Sequence, residues 1–129
     1  MKILICEDNP VIALDLEIML EEIGHEVCGA VGSSAECLAL VAVARPDLVT
    51  VDLDLADGPT GLRLVRFLHE RGIGSIIVSG QVSCLNEPHP ASAVIPKPVD
   101  EARLASALSR VAAAEDGAAT HRLTDPVLG

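Results

Sequence analysis

The sequence predicts an α/β fold, a doubly wound, five-stranded parallel sheet with helices on both faces. Three observations predict it. Five short runs rich in Val, Ile and Leu punctuate the chain, each closed by turn-forming or acidic residues. Stretches with apolar residues at helical spacing follow four of the five, and apolar strands alternating with helices imply a parallel sheet covered on both faces. The chain has 129 residues, half of them hydrophobic, which suits one compact domain with little left over.

The elements follow in order. Lys2–Cys6 (KILIC) is a buried-type strand ended by Glu7 and Asp8. Asn9 is a good N-cap and Pro10 suits the first helical turn, so a helix is expected to about Ile23, where Gly24 supplies the stop. Ile12, Leu16, Met19, Leu20 and Ile23 form its core stripe, while Val11, Leu14 and Ile18 form a second stripe on a nearly opposite face. His25–Val31 reads as the second strand, and Ser33 or Ser34 opens a helix ending near Ala44 before Pro46. Leu48–Leu53 is the third strand, Asp57–Thr60 a loop, and Gly61–Arg71 a helix with Leu62, Val65 and Leu68 on one seam. Ser75–Ser79 is the fourth strand. Residues 80–92 hold Gly80, Pro88 and Pro90, so a long helix is not expected there, only a turn near Ser83–Glu87. Ala93–Pro96 is the fifth strand, and Leu104, Ala105, Leu108, Val111 and Ala112 mark a last helix from Val99 to about Ala114. The expected domain is residues 1–114, with residues 115–129 as a flexible C-terminal tail.

Composition excludes several functions. Nine basic residues against 19 acidic ones give a net charge of −10, which disfavours nucleic acid and anionic membrane as partners. The sole aromatic among Phe, Trp and Tyr is Phe67, too few rings for a base-stacking platform. No signal peptide is recognisable, and no apolar run nears the roughly 20 residues that span a bilayer, so the expected location is cytoplasmic. Cysteines 6, 28, 37 and 84 and the four histidines are scattered, without metal or redox spacing; Cys6 and Cys28 read as small buried hydrophobes.

The chemistry stands at the strand ends, which a doubly wound fold gathers on one edge of the sheet. Strand one ends in Glu7-Asp8, strand three in Asp52 before Leu53-Asp54, strand four in Ser79-Gly80, and strand five in Pro96-Lys97-Pro98. Clustered carboxylates repel by about 4 kcal/mol per pair at about 4 Å and an effective dielectric near 20. A hard cation such as Mg²⁺ removes that cost, and Lys97 adds positive charge. The Ser79 hydroxyl and the Gly80 N–H can meet anionic oxygens. A central carboxylate in such a site can attack a phosphoryl group and form an aspartyl phosphate.

With these residues in this order, the chain resembles the receiver domain of two-component response regulators over about residues 1–114. The resemblance implies the flavodoxin-like (βα)5 receiver fold, with a reduced fourth helix. It implies that Asp52 is the phospho-acceptor, and that Asp8 binds Mg²⁺ directly and Glu7 mainly through water, with the Asp54 backbone carbonyl as a further ligand. Lys97 and Gly80 would contact the phosphoryl group, Ser79 would report its presence, and Pro98 would follow a cis Lys97-Pro98 bond. The partner implied is a histidine kinase or histidine phosphotransfer protein docking on Val11, Leu14, Ile18 and Pro98.

The chain departs from the family pattern at several places. The position three before the lysine, usually an aromatic switch residue, is Val94, which has no ring to swing inward. Ser79 replaces the commoner threonine. Pro-Lys-Pro stiffens the lysine's loop. Ser79 and Lys97 are only 18 positions apart, short for a full helix between them.

The expected function is that of a single-domain response regulator: a phosphoprotein in two-component phosphorelay signal transduction, not an enzyme beyond its own phosphotransfer and dephosphorylation. It would signal by binding a downstream protein, as a monomer or weak homodimer, or act as a phosphate relay or sink. One alternative is a receiver-like module that binds its partner without phosphorylation. Another is a haloacid dehalogenase-type phosphohydrolase, whose Asp-x-Asp pair Asp52-Leu53-Asp54 resembles. That pair usually follows the first strand, however, and no cap insertion is present.

Overall fold

The computed structural model describes residues 1–82 and 85–124, the last ten of these as backbone only. Five strands, β1 (Lys2–Cys6), β2 (Glu26–Val31), β3 (Leu48–Val51), β4 (Gly74–Ser79) and β5 (Ala93–Pro96), form one parallel sheet in the order β2-β1-β3-β4-β5. The helices are α1 (Pro10–Ile23), α2 (Ser34–Ala44), α3 (Gly61–Glu70) and the C-terminal α4 (Glu101–Thr124). The order reverses between β1 and β3, so the crevice that binds ligands in such sheets lies at their carboxyl ends.

The period of two along each strand divides the core into two layers. Ile3, Ile5, Leu48, Ile76, Val78 and Ile95 face α1 and α4, where Leu16, Leu20, Leu104 and Leu108 meet them. Leu4, Cys6, Val49, Val51 and Ile77 face α2 and α3, against Cys37, Val41, Leu64, Val65 and Leu68. Full burial of one such aliphatic side chain is worth about 1.5–3 kcal/mol, so both layers are needed to offset chain entropy.

Local chemistry sets the boundaries. Asn9 Oδ1 accepts from Val11 N at 3.0 Å and Ile12 N at 3.3 Å, capping α1, and Gly24 ends that helix in the left-handed region at φ 110°. Asp100 Oδ1 accepts from Ala102 N at 3.0 Å, so α4 begins at Glu101 and not at Val99. Two further expectations change. Cys28 is half-buried, because β2 is an edge strand with a neighbour on one side only. The last helix does not end near Ala114. The apolar period stops there, but the Ala- and Glu-containing chain keeps helical propensity and the backbone stays helical to Thr124. Between β4 and β5 the described residues contain no α-helix, in line with the reduced fourth helix. The turn expected near Ser83–Glu87 involves Ser83 and Cys84, which lie outside the described residues. None of the described helices is long and apolar enough to cross a membrane.

Candidate functional site

The carboxyl ends of β1 and β3 are adjacent strands in register, and Asp52 N donates to Cys6 O at 3.0 Å. That ladder bond sets Asp52 beside Glu7 and Asp8. Each of the three offers a carboxylate oxygen within 4.8 Å of the others. Glu7 and Asp52 are 4% and 7% exposed, whereas Asp8 is open to solvent. From the end of β5, Lys97 Nζ reaches Asp52 Oδ2 at 2.9 Å and also ion-pairs with Glu7 Oε1.

The electrostatics follow from burial. Burial raises the Glu7 pKa above the usual carboxylate range and Asp52 pushes the same way, while Lys97 and the Asn9 N–H, 3.1 Å from Oε2, oppose the rise. For Lys97, burial works against the charge, but the pairs with Glu7 and Asp52 outweigh it and its pKa is raised. The ammonium therefore stays charged at neutral pH. A hydrogen bond with Cys37 and burial push the Cys6 thiol up, so Cys6 itself adds no negative charge beside the carboxylates.

A divalent cation fits this set. Three carboxylates against one ammonium leave a net charge of −2 in their ionised forms. Glu7 Oε1 is buried without a directed hydrogen bond, although it faces Lys97. All-oxygen donors with one solvent-open member suit Mg²⁺, which keeps part of its water shell.

The remaining expected residues divide into two groups. Ser79 is buried at the end of β4, its Oγ accepting from Gln81 N at 3.1 Å, and its carbonyl accepts from Lys97 N at 3.1 Å. Gly80 is exposed beside it, and Asp54 N approaches Asp52 Oδ1 at 3.4 Å while the Asp54 side chain is exposed. Lys97-Pro98 is cis. By contrast, Val94 packs on the layer facing α2 and α3. Val11, Leu14 and Ile18 stand on the outer face of α1, 70%, 56% and 47% exposed. A cavity of about 350 Å³ lies beside that helix, lined by Ile12, Leu16, Met19, Lys97, Pro98 and Val99.

Two residues escaped the sequence reading. A Cβ on Gly61 would sit 2.0 Å from Asp52 O and 2.7 Å from Leu53 Cα, so only glycine lets α3 start this close to Asp52. Its position at the opening of a helix was the available signal. Asp57 accepts hydrogen bonds from residues of α2 and from Thr60, and nothing in the local sequence indicates that pairing.

Comparisons with known proteins agree with this geometry. The family model of the response regulator receiver domain matches residues 3–109. The phyllosphere-induced regulator PhyR of Methylorubrum extorquens is 43% identical over 68 residues, which are 52% of this chain and 26% of that protein. The crystal structure of the anti-anti-sigma factor PhyR from Bartonella quintana is similar with a TM-score of 0.83 at 26% identity, covering 93% of this chain and 50% of that one. A CheY-like response regulator receiver domain from Methylobacillus flagellatus gives a TM-score of 0.77 at 28% identity, covering 86% of this chain and 98% of that one. The chain thus spans about a quarter of the curated relative's length and half of the Bartonella protein's.

Proposed function

Since this chain belongs to the response regulator receiver domain family, a phosphoacceptor signalling module with a kinase partner, we propose that Asp52 takes up a phosphoryl group from a phosphohistidine on a histidine kinase or phosphotransfer protein. The observation that carries this reading is the buried Asp52 carboxylate, 2.9 Å from Lys97 Nζ and within 4.8 Å of Glu7 and Asp8. An oxygen of Asp52 attacks phosphorus; the O–P bond forms as the P–N bond breaks, and the electron pair returns to the imidazole nitrogen, which is protonated by solvent. Lys97, a charged donor beside that oxygen, pairs with a phosphoryl oxygen, and Gly80 N–H offers a second contact. Glu7, Asp8, Asp52 and the Asp54 backbone carbonyl are the proposed holders of Mg²⁺, which when bound supplies positive charge against the phosphoryl oxygens.

The Ser79 hydroxyl, which now accepts from Gln81, turns to donate to the phosphoryl group. With valine at position 94, output relies on the connection after Ser79 and not on a rotating ring. Residues 1–114 form the receiver unit, with residues 115–129 appended, and act in the cytoplasm. The likeness to PhyR covers half of the anti-anti-sigma factor. What we carry over is a protein target reached through the receiver surface, or a role as relay or sink. The exposed Val11, Leu14 and Ile18, with Pro98 at the neighbouring cavity, form the docking face for the phosphodonor.

Acetyl phosphate with Mg²⁺, followed by intact mass, tests the acceptor. Wild type is expected to gain one phosphoryl group and Asp52→Ala none. Multiple turnover of p-nitrophenyl phosphate would instead favour a hydrolase, and an unlabelled wild type that still binds its partner would favour phosphorylation-independent binding. Val11→Asp or Ile18→Asp should slow transfer from the cognate protein donor but not from acetyl phosphate; equal slowing of both would remove the docking assignment.

A further inference from the structure

We infer that Asp57 is a positioning residue for the cation side of the site, holding the loop that carries Asp54 by tying it to the first turn of α2. The inference rests on the phosphoacceptor reading above. The loop from Leu53 to Thr60 is held at its ends by core contacts: Leu55 is buried, and Gly61 N donates to Leu53 O at 3.1 Å. Its middle has no such anchor, since Ala56, Asp57 and Pro59 are all exposed. Polar contacts hold it instead. Asp57 Oδ1 accepts from Ser34 N at 3.1 Å and from Thr60 Oγ1 at 2.9 Å; Oδ2 accepts from Ser34 Oγ at 2.5 Å and from Ala35 N at 3.3 Å. Ser34 N and Ala35 N belong to the first helical turn, whose amides have no partner within the helix, so the carboxylate meets donors that would otherwise be free.

These contacts close a ring around the carboxylates. Ala56 N donates to Gly32 O at 2.9 Å, two residues before Ser34. Gly32 in turn packs on Asp8: a Cβ there would lie 3.5 Å from Asp8 Cα. Glu7 N donates to Val31 O at 2.8 Å, and Asp52 N donates to Cys6 O at 3.0 Å. The segments bearing residues 7–8 and 52–54 are therefore joined twice. They meet once directly through the sheet and once around the outside, through the turn after β2 and Asp57. Removing the Asp57 contacts leaves Asp52 and Glu7 held by the sheet and the outer link resting on the Ala56 N–Gly32 O bond, so the Asp54 side of the ring is held more loosely. Cation affinity should suffer while the acceptor stays in place.

The test is a Mg²⁺ titration of the full chain, followed by backbone amide resonances, alongside the Mg²⁺ dependence of labelling by acetyl phosphate. Asp57→Ala should raise the half-saturating Mg²⁺ concentration about 10-fold, the lower end for loss of a partner that orients a metal ligand. Its labelling rate at saturating Mg²⁺ should stay near wild type. Asp57→Asn should shift the half-saturation less, because its carbonyl oxygen can still accept from Ser34 N and Thr60. Ser33→Ala removes the hydroxyl that accepts from Glu36 N at 3.1 Å, at the same helix end but with no bond to the loop, and should leave Mg²⁺ half-saturation unchanged. Wild-type half-saturation in Asp57→Ala, or an equal shift in Ser33→Ala, would overturn the inference while the acceptor reading stands. A wild-type chain that neither binds Mg²⁺ nor takes up phosphoryl would overturn both.

Discussion

Residues 53–60 and residues 80–92 leave the same edge of the sheet, beside the same site, and are held by different means. The first connection is fastened to its surroundings by the buried Leu55, by Gly61 packed on the Asp52 backbone, and by the Asp57 contacts to α2. The second, over its described residues, has Leu85 and Ala91 partly buried against the α2 and α3 layer, and Ser92 N donating to Ser75 O at 2.8 Å. Gln81 N donates to Ser79 Oγ at 3.1 Å, and Arg66 reaches Glu87 at 2.8 Å and Pro88 O at 3.3 Å, with side chains 44% and 61% exposed in the ion pair. An exposed pair of this kind contributes about 0.2–1 kcal/mol. Acceptance of a phosphoryl group needs fixed geometry on the acceptor side. Over its described residues, the side after Ser79 is held by less, and rearranging those residues costs less.

The largest expected effect is at the tight side. Gly61→Ala drives a methyl into the Asp52 and Leu53 backbone, where neither neighbour is a flexible side chain. A loss of about 3 kcal/mol is expected, the upper end for overpacking, read as a lowered urea midpoint. A near-neutral result would mean that this connection yields as readily as the other.

Next is a pH dependence. The hydrogen bonds from Ser34 hold the Asp57 carboxyl below its usual pKa of 3.8. A folded-state pKa below the unfolded one stabilises the fold above the unfolded value, and the effect fades as pH falls toward the folded one. The stability difference between wild type and Asp57→Asn should therefore be full above pH 3.8 and shrink below it, as followed by thermal unfolding across pH. A difference that stays constant down to strongly acidic pH would remove the ionised carboxylate from the account.

Amide exchange sharpens the same contrast. The amides of Leu55, Ala56 and Gly61, all bonded to backbone carbonyls, should exchange more slowly than those of Glu87 and His89. The reverse order would invert the comparison. The smallest effect belongs to Arg66→Ala, which should change stability by no more than about 0.5 kcal/mol, as expected for an exposed ion pair. A loss of several times that would show the second connection to be held as firmly as the first.

Much of this was legible in the chain. β1, β3 and β4 read as apolar runs because both of their faces are covered, and the acids and the lysine stand where those runs stop. The Asn9 cap and the Gly24 stop could be read because capping acts over a few neighbouring residues. The half-exposure of Cys28 was not legible, because strand order and not composition makes β2 an edge. Nor was the tie from Asp57 to Ser34, 23 residues apart in the chain.

The sequence by itself determined the alternation of strands and helices, the acidic character, the missing ring at Val94 and the identity of the groups at the strand ends. These depend on side-chain type and short-range spacing. Only the tertiary structure decided which groups touch: Lys97 paired with both Glu7 and Asp52, glycine required at position 61, and a loop carboxylate satisfying the amides of another helix. Such contacts arise when packing two core layers on one sheet brings distant segments within bonding distance, and no local pattern encodes that meeting.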